Sequence, residues 1–250
     1  MSVCVFATEV SALIGDDPHR TQAEAEAEIL SRCLGQAGGG SPDPATGFEA
    51  YPEIDTCIRA FQSEPHVSRE LTLRYLDNIR EAVDTQQEGG STSPERFRKL
   101  QNRAVGTIRR LSGTRAEQQF ITRYNIPGSQ REFKKKLHSH SCFYLYGKVD
   151  GFDTEKQSVI EIKTRHEQKG SRLYPWEYTQ LMCYMFLTET RTVRFIELFG
   201  DDETHTEMVV GFEDTKWLAL FSRLMAACRR LANKIEKSRE HYPETLHRLL

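Results

Sequence analysis

Asp150, Glu161 and Lys163 have the residue types and the spacing for metal-assisted chemistry. In Gln157–Thr164 (QSVIEIKT) apolar and polar residues alternate, the pattern of a strand. Side chains alternate across a sheet, so Ile160 and Ile162 point one way and Glu161 and Lys163 the other. The preceding run, Ser141–Phe152 (SCFYLYGKVDGF), is aromatic and β-branched, and it carries Asp150 near its end, after Gly147 and beside Gly151. A turn at DTEK would fold the two runs into a hairpin and bring Asp150 beside Glu161. Two carboxylates at one place repel each other unless a cation sits between them. Their oxygens suit Mg²⁺ or Mn²⁺, which keep waters for chemistry. A neighbouring ammonium can orient or deprotonate such a water, or stabilise charge as it develops.

The elements that must position these residues follow from periodicity. Thr21–Cys33 is rich in Ala and Glu, and Val67–Val83 places Leu71, Leu73, Leu76, Ile79 and Val83 toward one face, so both read as helices. A basic helix is expected over Phe97–Leu111, a break at Gly113, and a further helix from Thr114 to about Tyr124. Gly35–Gly47 and Thr85–Glu95 read as loops. After the hairpin, Pro175–Leu187 returns to helix, with strands at Thr192–Leu198 and Met208–Phe212. In the last helix Trp217, Phe221, Leu224, Cys228, Leu231 and Ile235 recur at steps of four and three. The expected fold is α/β, a mixed central sheet flanked by helices with a helical N-terminal part. It is read as one domain: residues 1–112 mostly helical, 113–212 the core, and 213–250 C-terminal helices.

The net charge of −2 hides an asymmetry. Residues 1–94 carry 16 acidic and 6 basic side chains, residues 95–172 carry 8 and 18, and residues 173–250 carry 12 and 10. A basic island of this kind suits a polyanion, although a solvated mixed-charge surface explains the same numbers. Lys134, Lys135 and Lys136 precede the first expected strand; Arg165, Lys169 and Arg172 follow Lys163, where phosphate contacts would be useful. The six cysteines never form a C-x-x-C pair, which counts against zinc-ribbon and clustered iron–sulfur sites, and reduced, mostly buried thiols are expected. His138 and His140 alternate beside a strand without a third ligand at a matching spacing. G-x-S-x-G and G-x-x-x-x-G-K-[ST] are both missing, against common hydrolase and ATPase classes. No apolar stretch approaches the ~18 residues of a membrane span, and the N-terminus lacks the features of a signal or transit peptide. The expectation is a soluble, intracellular protein, with nucleus and cytoplasm not distinguished.

Asp150, followed after ten residues by Glu161-Ile162-Lys163, resembles the Asp…(Asp/Glu)-x-Lys core of the PD-(D/E)xK nuclease superfamily, with Val149 in the place of the literal proline. Gln180 and Tyr184, four apart and so on one helix face, resemble the Q-x-x-x-Y element of its RecB-like and lambda-exonuclease-like branches. Gly113-Thr114-Arg115-Ala116-Glu117 is similar to the G-T-x-x-E helix start of the YqaJ group of viral recombinase nucleases, and Ala7–Gly15 is similar to that group's opening. The resemblance implies a restriction-endonuclease-like core and a Mg²⁺- or Mn²⁺-dependent deoxyribonuclease, an exonuclease acting in recombination or end processing. Asp150 and Glu161 would hold the metal, with Glu117 assisting and the Ile162 carbonyl as a further ligand. Lys163 would position water, while Gln180 and Tyr184 would order the site and the nucleic acid. DNA, a homo-oligomeric ring and a single-strand annealing protein are the partners that the resemblance brings into view. A structure-specific endonuclease, an RNA-cleaving enzyme and a non-catalytic nucleic-acid-binding domain on the same fold stay open as alternatives.

Overall fold

The computed structural model describes residues 2–33, 48, 50–88, 94–138, 142–165, 173–199 and 204–241. A short strand, β1 (Val3–Phe6), leads through a 3-10 turn into α1 (Val10–Leu13) and α2 (Gln22–Cys33). Three helices follow: α3 (Pro52–Ser63), α4 (Arg69–Glu88) and α5 (Pro94–Arg123). Then come β2 (Glu132–Lys136), β3 (Phe143–Lys148), β4 (Gly151–Asp153) and β5 (Ser158–Arg165). The chain ends with α6 (Pro175–Thr188), β6 (Thr192–Phe199), β7 (His205–Gly211) and α7 (Asp214–His241).

The strands form two sheets. One has the order β1-β3-β2, with β1 parallel and β2 antiparallel to β3. The other has the order β4-β5-β6-β7, in which β5 and β6 run parallel around α6 and the outer pairs are antiparallel. The expected α/β class with mixed pairing and flanking helices is what the chain adopts. The expected first strand of the hairpin, however, divides at Val149-Asp150, so β3 belongs to one sheet and β4 to the other.

Three apolar clusters hold these layers. The largest joins the inner face of the three-stranded sheet (Val3, Val5, Phe143, Leu145) to α1, α2, α6 and α7, and reaches Val159, Val193 and Phe195 on the second sheet. A second lies among α3, α4 and α5, around Phe61, Ile79 and Ile108. The third seats Ala116, Phe120 and Ile121 of α5 on Ile160, Ile162, Ile196 and Leu198. Odd-numbered side chains of β5 therefore face α6 and even-numbered ones face α5. α7 buries Trp217, Leu224, Cys228, Leu231 and Ile235, as its spacing requires.

Four expectations need correction. First, α5 is one helix of 30 residues, running through Gly113 without a break. There the Thr164 hydroxyl donates to the Gly113 carbonyl at 3.2 Å, and Thr164 Cβ would stand only 3.6 Å from a Cβ at position 113. Position 112 thus falls inside a helix, and Thr85–Glu88 and Pro94-Glu95 are helical too. Second, the mostly helical N-terminal part also holds a strand that the sequence did not announce, β1, which pairs with β3. Third, Lys134, Lys135 and Lys136 lie within a strand, β2, instead of preceding the first one. Fourth, only Cys183 and Cys228 of the six free thiols are buried; Cys4, Cys33 and Cys57 are half-buried and Cys142 is exposed. The Gly35–Gly47 segment and His140 lie outside the described residues. Among the described residues, no helix is long and apolar enough to cross a membrane.

Candidate active site

The site is built where a strand ladder stops short. β4 has three residues and pairs only with Ser158–Ile160 of β5. Beyond Ile160 the β4 side of β5 has no strand partner, although buried amides need acceptors. Two carboxylates supply them. The Ile162 amide donates to Asp150 Oδ2 at 2.9 Å, and the Thr164 amide donates to Glu117 Oε1 at 3.2 Å. In an extended strand the N–H and C=O of one residue leave by the same edge, so the Ile162 carbonyl faces the Asp150 side as well. Gln130 Nε2 approaches Asp150 Oδ1 at 3.5 Å.

Each acid is delivered by a local feature. Asp150 occupies the break between β3 and β4, flanked by two glycines that permit close packing. A Cβ at Gly147 would stand 2.8 Å from Tyr184 Cε1 and from Leu187 Cδ1. A Cβ at Gly151 would run into Ile126 Cγ2 and stand 3.2 Å from the Pro127 carbonyl. Glu117 depends on the bearing of α5, which is tied to its neighbours one turn earlier. The Arg115 guanidinium donates to the Phe61 and Glu64 carbonyls at 2.7 and 2.9 Å, and also to Gln62 O, capping the end of α3. A buried hydrogen bond of 2.8 Å between Thr72 and Ser112 joins α4 to α5.

Glu161 projects from the α6 face of β5 and is 2% exposed. Its Oε1 meets Lys163 Nζ at 2.6 Å and accepts from Gln180 Nε2 at 3.0 Å. Gln180 Nε2 also donates to the Tyr184 hydroxyl at 2.8 Å, so the two α6 residues that share a face in the sequence touch each other in the fold. Burial pushes the Glu161 carboxyl up to about 8, against the pull of Lys163 and reinforced by Asp150 and Glu117. Burial likewise raises Glu117 to about 7; Lys163 opposes this and Asp150 adds to it. Lys163 is held as an ammonium: burial disfavours its charge, but Glu161, Asp150 and Glu117 together outweigh burial. Burial also raises the Tyr184 phenol, with Glu161 adding to it, so it stays protonated.

The structure thus brings Glu117, Asp150, Glu161, Ile162, Lys163, Gln180 and Tyr184 to one place. As the side chains stand, no three or more His, Cys, Asp or Glu among the described residues are gathered closely enough to cage an ion. Backbone amides hold Asp150 and Glu117, and Lys163 sits on Glu161. Even so, the donor set fits a hard divalent cation. It has three oxygen acids, two of them, Glu117 and Glu161, pushed toward protonation by burial and by the neighbouring Asp150, and a bound cation relieves such repulsion.

The residues expected along a nucleic-acid path divide. Arg165 faces inward: its guanidinium donates to Glu177 at 2.6 and 2.8 Å and to Glu197 Oε1 at 2.8 Å. Both glutamates are buried, so Arg165 ties α6 to β5 and β6 with most of its side chain covered. Lys135 lies on the α6 side of β2, half-buried, and donates to the exposed Glu189 at 2.7 Å. Lys134 and Lys136 are exposed on the outer face of β2, with Lys134 Nζ 4.7 Å from the Tyr144 ring centre. Lys169 and Arg172 lie outside the described residues. Sequence reasoning missed the acids that hold Arg165. The available signal was Glu197, a lone carboxylate inside the otherwise apolar end of TVRFIELF.

No protein-family model and no curated protein sequence matches the chain. Among solved structures, an alkaline exonuclease from Laribacter hongkongensis, LHK-Exo, superposes with a TM-score of 0.56 over 96% of this chain and 93% of that one. The chain shares its fold with an alkaline exonuclease. The structure of LHK-Exo in complex with dAMP superposes with a TM-score of 0.51 over the same shares. At 13% identity the likeness to this exonuclease is one of fold. It agrees with the restriction-endonuclease-like α/β architecture that the sequence pattern implies.

Proposed function

We propose that this chain is a metal-dependent nuclease that hydrolyses phosphodiester bonds of DNA, as an exonuclease acting in recombination or end processing. One observation carries the reading: three carboxylates from separate elements, Glu117, Asp150 and Glu161, surround one short stretch of β5 with Lys163 against Glu161. The fold shared with an alkaline exonuclease, itself crystallised in complex with dAMP, supports the choice of substrate. Glu117, Asp150, Glu161 and the Ile162 carbonyl would hold Mg²⁺ or Mn²⁺, which when bound polarises a phosphate and lowers the pKa of a water. Lys163 Nζ, kept charged by the surrounding acids, positions the attacking water and offsets negative charge on the phosphate oxygens. Gln180 fixes the rotamer of Glu161 and, through Tyr184, ties it to α6. Lys134 and Lys136 on the outer face of β2, together with Lys169 and Arg172, supply phosphate contacts that place the strand without reading its sequence.

Digestion of end-labelled linear and closed circular DNA with Mg²⁺ or Mn²⁺ tests the proposal. Loss of label from linear DNA with intact circles is the expected result. Cut circles would make the enzyme an endonuclease, and no cleavage of DNA or of RNA with either metal would end the enzyme reading. Lys163→Ala is expected to abolish cleavage while sparing most DNA binding; normal cleavage by that variant would overturn the role given to Lys163.

A further inference from the structure

At the start of α6, two aromatic rings are stacked outside all three apolar clusters. Tyr174 and Trp176 have ring centres 4.5 Å apart and planes within 10° of parallel. The Arg165 guanidinium lies 5.1 Å from the Tyr174 ring centre and anchors it from below. His19 meets Trp176 edge-on with ring centres 5.5 Å apart, and is itself exposed. Both stacked rings are half-buried, so aromatic surface remains in contact with solvent. The chain's other tryptophan, Trp217, shows the contrast: it is 8% exposed and packed among Phe186, Phe212 and Phe221.

The position of the stack is informative. Trp176 precedes Gln180 by four residues and Tyr184 by eight, so the three share one stripe of α6. That stripe runs from buried Tyr184, through Gln180 against Glu161, to Trp176 at the helix start. Arg165, beneath Tyr174, lies two residues beyond Lys163 on the same face of β5. The ring pair therefore stands one turn of α6 before Gln180, which itself touches Glu161, so a strand laid along this stripe would meet both the acid and the rings. A planar, solvent-facing ring backed by a second ring and a fixed cation suits the face of a base, and such stacking tolerates any base.

We propose that Trp176, backed by Tyr174, is the stacking platform for a nucleobase of the strand whose phosphate meets Glu161 and Lys163. This rests on the nuclease reading, and its test separates the two. Trp217→Phe leaves Trp176 as the sole tryptophan, and its emission is followed in EDTA as a short single-stranded DNA is added. Emission is expected to be strongly quenched on binding, and an oligonucleotide of equal length with abasic sites is expected to bind without that quenching. In the otherwise native chain, Trp176→Ala is expected to weaken DNA binding about tenfold and Trp176→Phe to restore most of it, the effect of losing one stacked base. DNA binding by anisotropy with unchanged emission, or full affinity in Trp176→Ala, overturns the platform and leaves the nuclease reading standing. If the native chain neither binds nor cleaves DNA, both fall.

Discussion

Replacing Arg165 by Met tests whether this arginine belongs to the fold or to a nucleic-acid path. Its side chain is 18% exposed, and its partners Glu177 and Glu197 are 5% and 2% exposed. Burial alone would disfavour the guanidinium charge, and the hydrogen bonds it donates to Glu177 and Glu197 more than offset it. Removing one partner of a buried ion pair costs about 3–5 kcal/mol, because the carboxylates left behind have no counter-charge. The residual exposure of Arg165 places the cost at the low end, about 3 kcal/mol. For a chain of this size that corresponds to a fall in Tm of about 6–12 °C. Calorimetric melting of Arg165→Met reads the number directly, and the triple variant R165M/E177Q/E197Q should recover most of it, since the orphaned charges are gone. DNA binding, measured well below the transition, should keep its salt dependence, whereas loss of a phosphate contact would lower the slope by about one. A variant that melts with the parent and shows the lower slope would refute the structural assignment.

Two further predictions follow from close packing and from charge. Gly147→Ala forces a Cβ against Tyr184 and Leu187, both buried, and should cost about 1–3 kcal/mol; denaturant titration measures this, and a cleavage assay should show the rate falling as Tyr184 shifts under Gln180. Glu26 on α2 is ion-paired with Lys234 and Arg230 of α7. Burial raises its carboxyl, but the two cations outweigh burial and hold it below the usual 4.5. A depressed folded-state value contributes stability that is present above about 4.5 and lost as the pH falls through the folded value. Glu26→Gln should therefore flatten the acid limb of the stability profile below that point; an unchanged limb would mean that the pair contributes nothing.

The trio and the Gln180–Tyr184 pair were legible because they depend on local periodicities, two for the strand and four for the helix. What was not legible depends on distant partners. VCVF is too short to declare itself, and becomes β1 only because β3 offers it an edge about 140 residues away. EFKKK reads as surface charge, yet Phe133 and Lys135 turn inward while Lys134 and Lys136 turn out. Gly113 punctuates a helix on propensity grounds, but Thr164 fits against it and the helix continues. Arg165 looked like a phosphate contact because Glu177 and Glu197 lie far along the chain.

The short β4 makes the site self-reporting. The amide protons of Ile162 and Thr164 are bonded to carboxylates, whereas Ile160 is held in the ladder by Gly151. Their chemical shifts and exchange rates are therefore spectroscopic gauges of Asp150 and Glu117. Any event that draws those carboxylates elsewhere must pass through two backbone resonances that no mutation or label is needed to create.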